Sequence, residues 1–500
     1  MSRSHPEFGV TSVCCAVRVV CAASIASCLL TSAQAEVPLA TYDKTFVTHH
    51  VSVIGGKRIR YTATVESTAL IDDRGKAAVN FVSTDYVADG RPAPGRPVIF
   101  AFAGGPSGPS VAYHMRLLGP RQYIDAAAED HSGKSPLRDN PDCLLDIADL
   151  VFVDPAETGF SRILPEGQRA YFYSVGGDAS SIIQFMDKWL HEHHREEAPR
   201  YVMGGSYGSV RALRIAWDLK GTHPLDGVFM TADSLMLQEM VGVIGTVLPL
   251  PTMASTAVYY GKADRGGRSD AQIVDETYRF AINEYLPALA RVQDLTEQSR
   301  SAMAQRLQAM VGIPAADILE HNLSVSLDDF RERLLRSAGR VLADPYDARR
   351  YINANAPRTD SDDGGLQSAF KQYLKDELHV SYDLSQYAMS APGSEKNWDY
   401  KGPEGATRED GGNNWPFMLQ AVLESNPHMF VYSANGLYDT KGVVGQVRWL
   451  MSRTQLPRER ILVREYPGGH AVYADAPVAK LILQDLRGIL TRSRAGATAR

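Results

Sequence analysis

Ser206 sits in Gly204-Gly205-Ser206-Tyr207-Gly208, a G-x-S-x-G segment. Small neighbours let a serine occupy a tight strand-to-helix turn with its hydroxyl lifted clear of the backbone. That hydroxyl is a weak nucleophile until a base takes its proton. His470 is the candidate base, because it ends Tyr466-Pro467-Gly468-Gly469-His470, a glycine-rich loop directly behind an apolar run. The imidazole needs a carboxylate to fix its tautomer and stabilise its charged form. Asp439, in Asn435-Gly436-Leu437-Tyr438-Asp439, follows another apolar run and fits that role. Asp233 and Asp475 are rival acids, but Asp475 reads as a helix start and Asp233 follows an earlier strand. The charge that develops on an attacked carbonyl oxygen needs preorganised N–H donors. The backbone amide of Tyr207 is one candidate, and Gly105, in Ala103-Gly104-Gly105-Pro106-Ser107-Gly108, is the other. Together these groups would carry out acyl transfer.

A local G-x-S-x-G pattern recurs by chance, so its weight rests on the elements around it. Short apolar runs at 98–102, 150–154, 201–205, 227–231, 429–433 and 461–466 are rich in Val, Ile, Phe and Tyr. They read as parallel strands covered on both faces. Helical spacing falls between them: Val210, Leu213 and Trp217 after Ser206; Val443, Val447 and Leu450 after Asp439; Ile482, Leu486 and Ile489 near the end, behind Asp475 and Pro477. Strands alternating with helices predict an α/β class, an open, mostly parallel sheet with helices on both faces. The order Ser206, Asp439, His470 is that of the α/β-hydrolase fold. Residues 36–97 differ, with alternation at 50–53 and 59–65 that predicts antiparallel strands. Between 236 and 415 the alternation breaks. Met303, Leu307, Met310 and Val311 form one helical stripe, and Phe330, Leu334 and Leu335 another. We expect a hydrolase core at 36–235 and 416–500, interrupted by a mainly helical cap at 236–415. Residues 360–366 and 390–410 read as exposed loops, and the last nine residues as a frayed tail.

The bulk composition excludes some functions. The 500-residue chain is 44% hydrophobic and 22% charged, with a net charge of -6, which offers nothing to a nucleic acid. Arg3 and Arg18 precede an apolar run at 19–30 that is too short to span a bilayer, followed by Ala33-Gln34-Ala35. Residues 1–35 therefore read as an export signal cleaved after Ala35, giving a periplasmic or secreted protein. Lipid anchoring at Cys28 is the less favoured alternative. Four of the five cysteines lie in that segment, so Cys143, read as a buried structural thiol, has no internal disulfide partner in the mature chain.

Taken together, these segments resemble the bacterial branch of the serine carboxypeptidase family, peptidase S10, along most of the mature chain. Phe102–Ser110 (FAGGPSGPS) is similar to the family's N-G-G-P-G-S-S segment, with His114 and Leu118-Gly119-Pro120 at familiar spacing. VDPAETGFSR at 153–162 resembles D-P-x-G-T-G-[YF]-S, and GGSYG resembles G-E-S-Y-G. Leu250-Pro251-Thr252, Tyr260-Gly261-Lys262, Tyr346-Asp347-Ala348-Arg349, GLYDTKG and YPGGHAVY look like further family segments. The resemblance implies an α/β-hydrolase fold, a helical cap, no cofactor, a small peptide or acyl substrate, and the triad already inferred. It also has departures. In the family's carboxypeptidases, an Asn in the N-G-G-P segment and the Glu before the serine help bind the substrate's C-terminal carboxylate. Ala103 and Gly205 stand there instead, and Leu117 replaces a further recognition Glu. Arg116, Arg121 and Arg211 are candidate replacements, since a guanidinium suits a carboxylate. Glu157 stands where the family pattern has Gly, and nothing in the sequence explains it.

His191, His193 and His194 form an HEHH cluster at the end of a predicted helix. Histidines there complement the helix dipole, and no separate ligand set in the sequence completes a metal site, so none is expected. Tyr171, Phe172 and Tyr173 read as packing. Three readings of function follow: a peptide or amide hydrolase, an esterase or acyltransferase favoured by Ala103 and Gly205, and a catalytically silent binding protein on the same fold.

Overall fold

The computed structural model describes residues 42–90, 95–124, 137–236, 239–357, 364–403 and 413–498; the export segment, with Cys28, lies outside the described residues. Among the described residues ten strands build the main sheet, nine of them on its continuous path: β1 (Phe46–Ile54), β2 (Lys57–Ile71), β3 (Ala77–Ala88), β4 (Val98–Phe102), β5 (Asp149–Val153), β6 (Arg200–Ser206), β7 (Gly227–Asp233), β8 (Phe430–Gly436) and β9 (Ile461–Tyr466). Their spatial order is β1-β2-β3-β5-β4-β6-β7-β8-β9, with the short strand Arg162–Ile163 beside β3. β1 to β3 form an antiparallel flank, as the alternation predicts, and β3 also meets β5 antiparallel. From β5 to β9 every pairing is parallel.

All five residues of β4 are buried. Ile99 and Ala101 enter one core, while Val98, Phe100 and Phe102 enter the other. Side chains of a strand alternate between faces, so a continuous apolar run is what a strand covered on both sides requires. The first core is closed by helices α6 (Gly364–Asp376) and α9 (Ala476–Thr498). The second is closed by α1 (Val175–Glu192), α2 (Tyr207–Asp218), α7 (Trp415–Ser425) and, through Leu450, α8 (Val444–Arg453).

A third core lies between β7 and β8 in sequence. Helices α3 (Leu250–Tyr259), α4 (Asp270–Phe280) and α5 (Glu297–Val311) bury Met253, Val274 and Leu307 there, together with Phe330, Leu334 and Leu335. Tyr438, beside the candidate acid, belongs to this cluster as well. By contrast, Leu366, Phe370 and Tyr373 of α6 pack into the sheet's own core. Two loop expectations are corrected. Helix α6 starts at Gly364 and buries Leu366, so residues 364–366 are not loop. Helix α9 runs to Thr498, so the stretch from residue 492 is helical as far as that residue.

Asp233 ends β7 fully beneath the surface. Its Oδ1 accepts the Leu235 amide at 2.9 Å and its Oδ2 the Ser433 hydroxyl at 3.4 Å. Burial outweighs these bonds and raises its carboxyl to about 6 from an ordinary 3.8. A raised folded-state value means that the folded chain holds a proton the unfolded chain has lost. Stability is then full below about pH 4 and declines as pH rises towards 6. Asp233→Asn removes the ionisation and is expected to stabilise the protein by up to about 3 kcal/mol at pH 8, with no gain at pH 3.5. Urea unfolding at the two pH values checks this.

Candidate active site

Strand β6 ends at Ser206 and α2 begins at Tyr207, so the serine is itself the turn. Its φ of 54° lies in the left-handed region, which non-glycine residues seldom adopt. The parallel register sets Gly205 beside Thr231 and Thr231 beside Ala434, while Gly436 faces Tyr466 across β8 and β9. The chain leaves β6, β8 and β9 at one edge of the sheet, and Ser206, Asp439 and His470 lie on the segments that emerge there.

Asp439 and His470 meet directly. His470 Nδ1 is 2.8 Å from Asp439 Oδ2, while Asp439 Oδ1 accepts the amides of Lys441 at 2.7 Å and Gly442 at 2.9 Å. The carboxylate has no solvent exposure, and the imidazole is 14% exposed. With Nδ1 donating to Asp439, Nε2 is the basic nitrogen. The rival acids are engaged elsewhere: Asp233 as described, and Asp475 in an ion pair of 2.8 Å with Arg349.

Tyr113 ties the histidine loop to the serine turn. Its ring lies 4.7 Å from that of Tyr473, three residues past His470, and its hydroxyl bonds Thr231 Oγ1. A Cβ added at Gly205 would overlap both of those hydroxyls. The space beside Gly205 is therefore filled by neutral hydroxyl groups. A Cβ added at Gly104 would overlap the Gly205 carbonyl and stand 3.0 Å from both Ser206 Cβ and the Tyr207 amide nitrogen. The glycine-rich loop after β4 thus lies against the serine turn. Gly105 follows in that loop with a φ of 117°, open to glycine alone.

The sequence did not reveal what holds this loop. Arg211, fully buried in α2, donates to the carbonyls of Ala103 and Pro106 on either side of Gly104-Gly105. Its Nε pairs with the buried Asp178 at 2.7 Å, and Tyr207 Oη donates to the same carboxylate at 3.2 Å. Arg211 is thus not a substrate-carboxylate receptor. Arg121 is spent on Asp139 at 2.7 Å and Glu377 at 3.0 Å, and the Arg116 guanidinium stands 5.6 Å from the Tyr123 ring centroid. His114 is structural: its Nε2 is 2.6 Å from Tyr86 Oη, its ring stacks on Phe152 at 4.2 Å, and burial lowers it to about 3. Cys143 donates to the Leu118 carbonyl, and burial pushes its thiol up to about 12, which leaves no thiolate for chemistry. Glu157 has a φ of 65° and accepts the Ile163 amide at 2.8 Å, so its carboxylate closes the turn that it occupies.

No protein-family model and no curated protein matches this chain. Solved structures do resemble it. A prohormone-processing carboxypeptidase from Saccharomyces cerevisiae superposes with a TM-score of 0.50 and 13% identity, over 87% of this chain and 92% of its own. A proline iminopeptidase from Mycobacterium smegmatis gives 0.36 and 11%, over 90% of this chain and 100% of its own. A monoglyceride lipase from Saccharomyces cerevisiae gives 0.33 and 12%, over 86% and 94%. With the sheet order described above, the first of these likenesses shows that this chain has the α/β-hydrolase fold.

Removing Arg211 would leave Asp178 buried and unpaired. Arg211→Met is expected to cost about 3–5 kcal/mol of stability, as measured by urea unfolding.

Proposed function

We propose that the protein is an exported serine hydrolase that cleaves a peptide or amide bond, in the manner of serine carboxypeptidases. The observation that carries this reading is the Asp439–His470 hydrogen bond of 2.8 Å, on loops at the sheet edge where Ser206 forms its strained turn. In this reading Ser206 Oγ attacks the substrate carbonyl and passes its proton to His470 Nε2. The amides of Gly105 and Tyr207 hold the oxyanion. The intermediate collapses, and His470 gives its proton to the departing amine. A water then attacks the acyl-enzyme, with His470 again as base, and releases the acid and the Ser206 hydroxyl. Residues 1–35 direct export and are removed after Ala35; Edman sequencing of the exported protein should begin at Glu36.

A second reading, esterase or acyltransferase, is favoured by the hydroxyl-filled space at Gly205 and by the commitments of Arg211 and Arg121. Neither hydroxyl nor bound guanidinium offers the paired grip that a free carboxylate needs.

A fluorophosphonate probe is expected to label the wild type and not Ser206→Ala. Absence of labelling in the wild type would favour a silent binding protein. Blocked dipeptides with free and amidated C-termini, set against aryl esters, separate the two enzyme readings. Strong preference for the free acid supports the carboxypeptidase, and turnover of esters alone supports the second reading.

A further inference from the structure

Three oxygen atoms are buried in one place on the antiparallel flank, Glu66 Oε1 on β2, and Ser83 Oγ and Asp85 Oδ1 on β3, with Asp85 facing both the Glu66 carboxyl and the Ser83 hydroxyl. Ser83 lies directly opposite Glu66 in the strand register, and Asp85 is two residues further along on the same face. Two carboxyl groups brought together out of water need a shared proton or a cation between them. Asp85 is 1% exposed. Among the described residues, neither it nor Glu66 forms an ion pair with Lys or Arg.

The end of α1 supplies a fourth group. His193 Nδ1 is 2.9 Å from the Trp189 carbonyl oxygen, so that nitrogen carries a hydrogen and Nε2 is the ring atom turned to Glu66. Nε2 stands 3.8 Å from Glu66 Oε1, too far for a hydrogen bond. The His193 ring stacks on Trp189 at 4.1 Å, and Trp189 Nε1 donates to Asp85 Oδ2 at 2.9 Å. Trp189 therefore orients both the imidazole and the buried carboxylate. Such outer hydrogen bonds, fixing a tautomer and a carboxylate, are what prepares ligands for a metal.

We propose that Glu66, Asp85 and His193 form a binding site for one divalent transition-metal cation of the zinc class. One ligand atom from each lies within 4.8 Å of the others. Donors around a zinc-sized ion sit roughly 3.3 Å apart, so the side chains close by about an ångström on binding. Two carboxylates neutralise the ion, and the ion removes the repulsion that otherwise keeps two adjacent buried carboxylates from ionising together. Strands β5 and β4 separate this flank from β6, which places the ion outside the proposed chemistry. Its effect is to bind α1 to the antiparallel strands. Of the HEHH cluster, only His193 takes part: His191 turns to Glu196.

The test is calorimetric titration of the untagged, chelator-stripped full chain with Zn²⁺. The expected result is one Zn²⁺ per chain, with affinity reduced about 10–100-fold in His193→Ala and in Glu66→Gln, and unchanged in Ser206→Ala. Zn²⁺ should raise the thermal midpoint of the wild type, and that of His193→Ala by less at the same Zn²⁺ concentration. His193 lies at a helix end and is partly exposed, so its variant keeps the fold, and circular dichroism verifies this. No Zn²⁺ binding by the wild type, or binding that His193→Ala leaves intact, overturns the proposal.

Discussion

A guanidinium sealed from solvent, that of Arg211, joins the two loops whose contact defines the candidate site. It reaches back from α2 to the carbonyls that flank Gly104-Gly105, so the loop after β4 cannot drift from the serine turn without stripping partners from a buried charge. The arrangement is costly to assemble. Burial pushes Asp178 upward, and only the adjoining Arg211 and the hydroxyl of Tyr207 offset that cost. The rings of Phe102 and Tyr207, 5.3 and 5.2 Å from the guanidinium, supply favourable π contacts on either side. A pair of this kind adds little net stability against an apolar replacement, but it specifies one loop geometry sharply. Backbone amides that must be preorganised for a developing charge need that kind of specification.

The helical segment between β7 and β8 also reaches the site. The His470 amide donates to the Tyr346 carbonyl at 2.8 Å, and the Ala348 amide to the Tyr438 carbonyl at 2.9 Å. Arg349 donates to the Pro467 carbonyl at 3.1 Å and pairs with Asp347 and Asp475. Residues 346–349 therefore stitch together the loop bearing the acid and the loop bearing the base. A shift of the covering helices would be felt at His470 through main-chain hydrogen bonds.

Much of this was legible in the sequence, for local reasons. Each parallel strand is a short run covered on both faces, so its composition alone marks it, and the serine turn and the histidine loop carry their glycines beside the reacting groups. What escaped the reading is what joins residues far apart in the chain. Arg211 reads as a surface or recognition arginine until it is seen 108 positions away at Ala103. Gly205 reads as a deletion of function until Tyr113 and Thr231 are found in its space. His193 reads as a helix-end histidine because Glu66 and Asp85 sit on strands more than a hundred residues earlier. Helix α6 falls inside a stretch whose composition reads as cap, but its apolar face packs on the sheet. Periodicity identifies a helix face without saying what covers it.

The hydroxyl cluster behind Ser206 constrains how substrates can be distinguished. Burial raises Tyr113 well above its ordinary value, and Thr231 does not titrate, so this wall stays neutral over the whole working pH range. Both residues are 1% exposed and their hydroxyls bond one another, so they pack behind the serine and hold no charge for a carboxylate. The aromatic groups that border the site on the covering side are Tyr346, 46% exposed with its ring 5.4 Å from that of His470, and the buried Tyr438 next to Asp439. Aromatic faces select for apolar shape, so on the proposed reading the ring of Tyr346 beside His470 supplies the apolar face that a substrate group meets, while the Asp439 and His470 loops hold the acid and the base together.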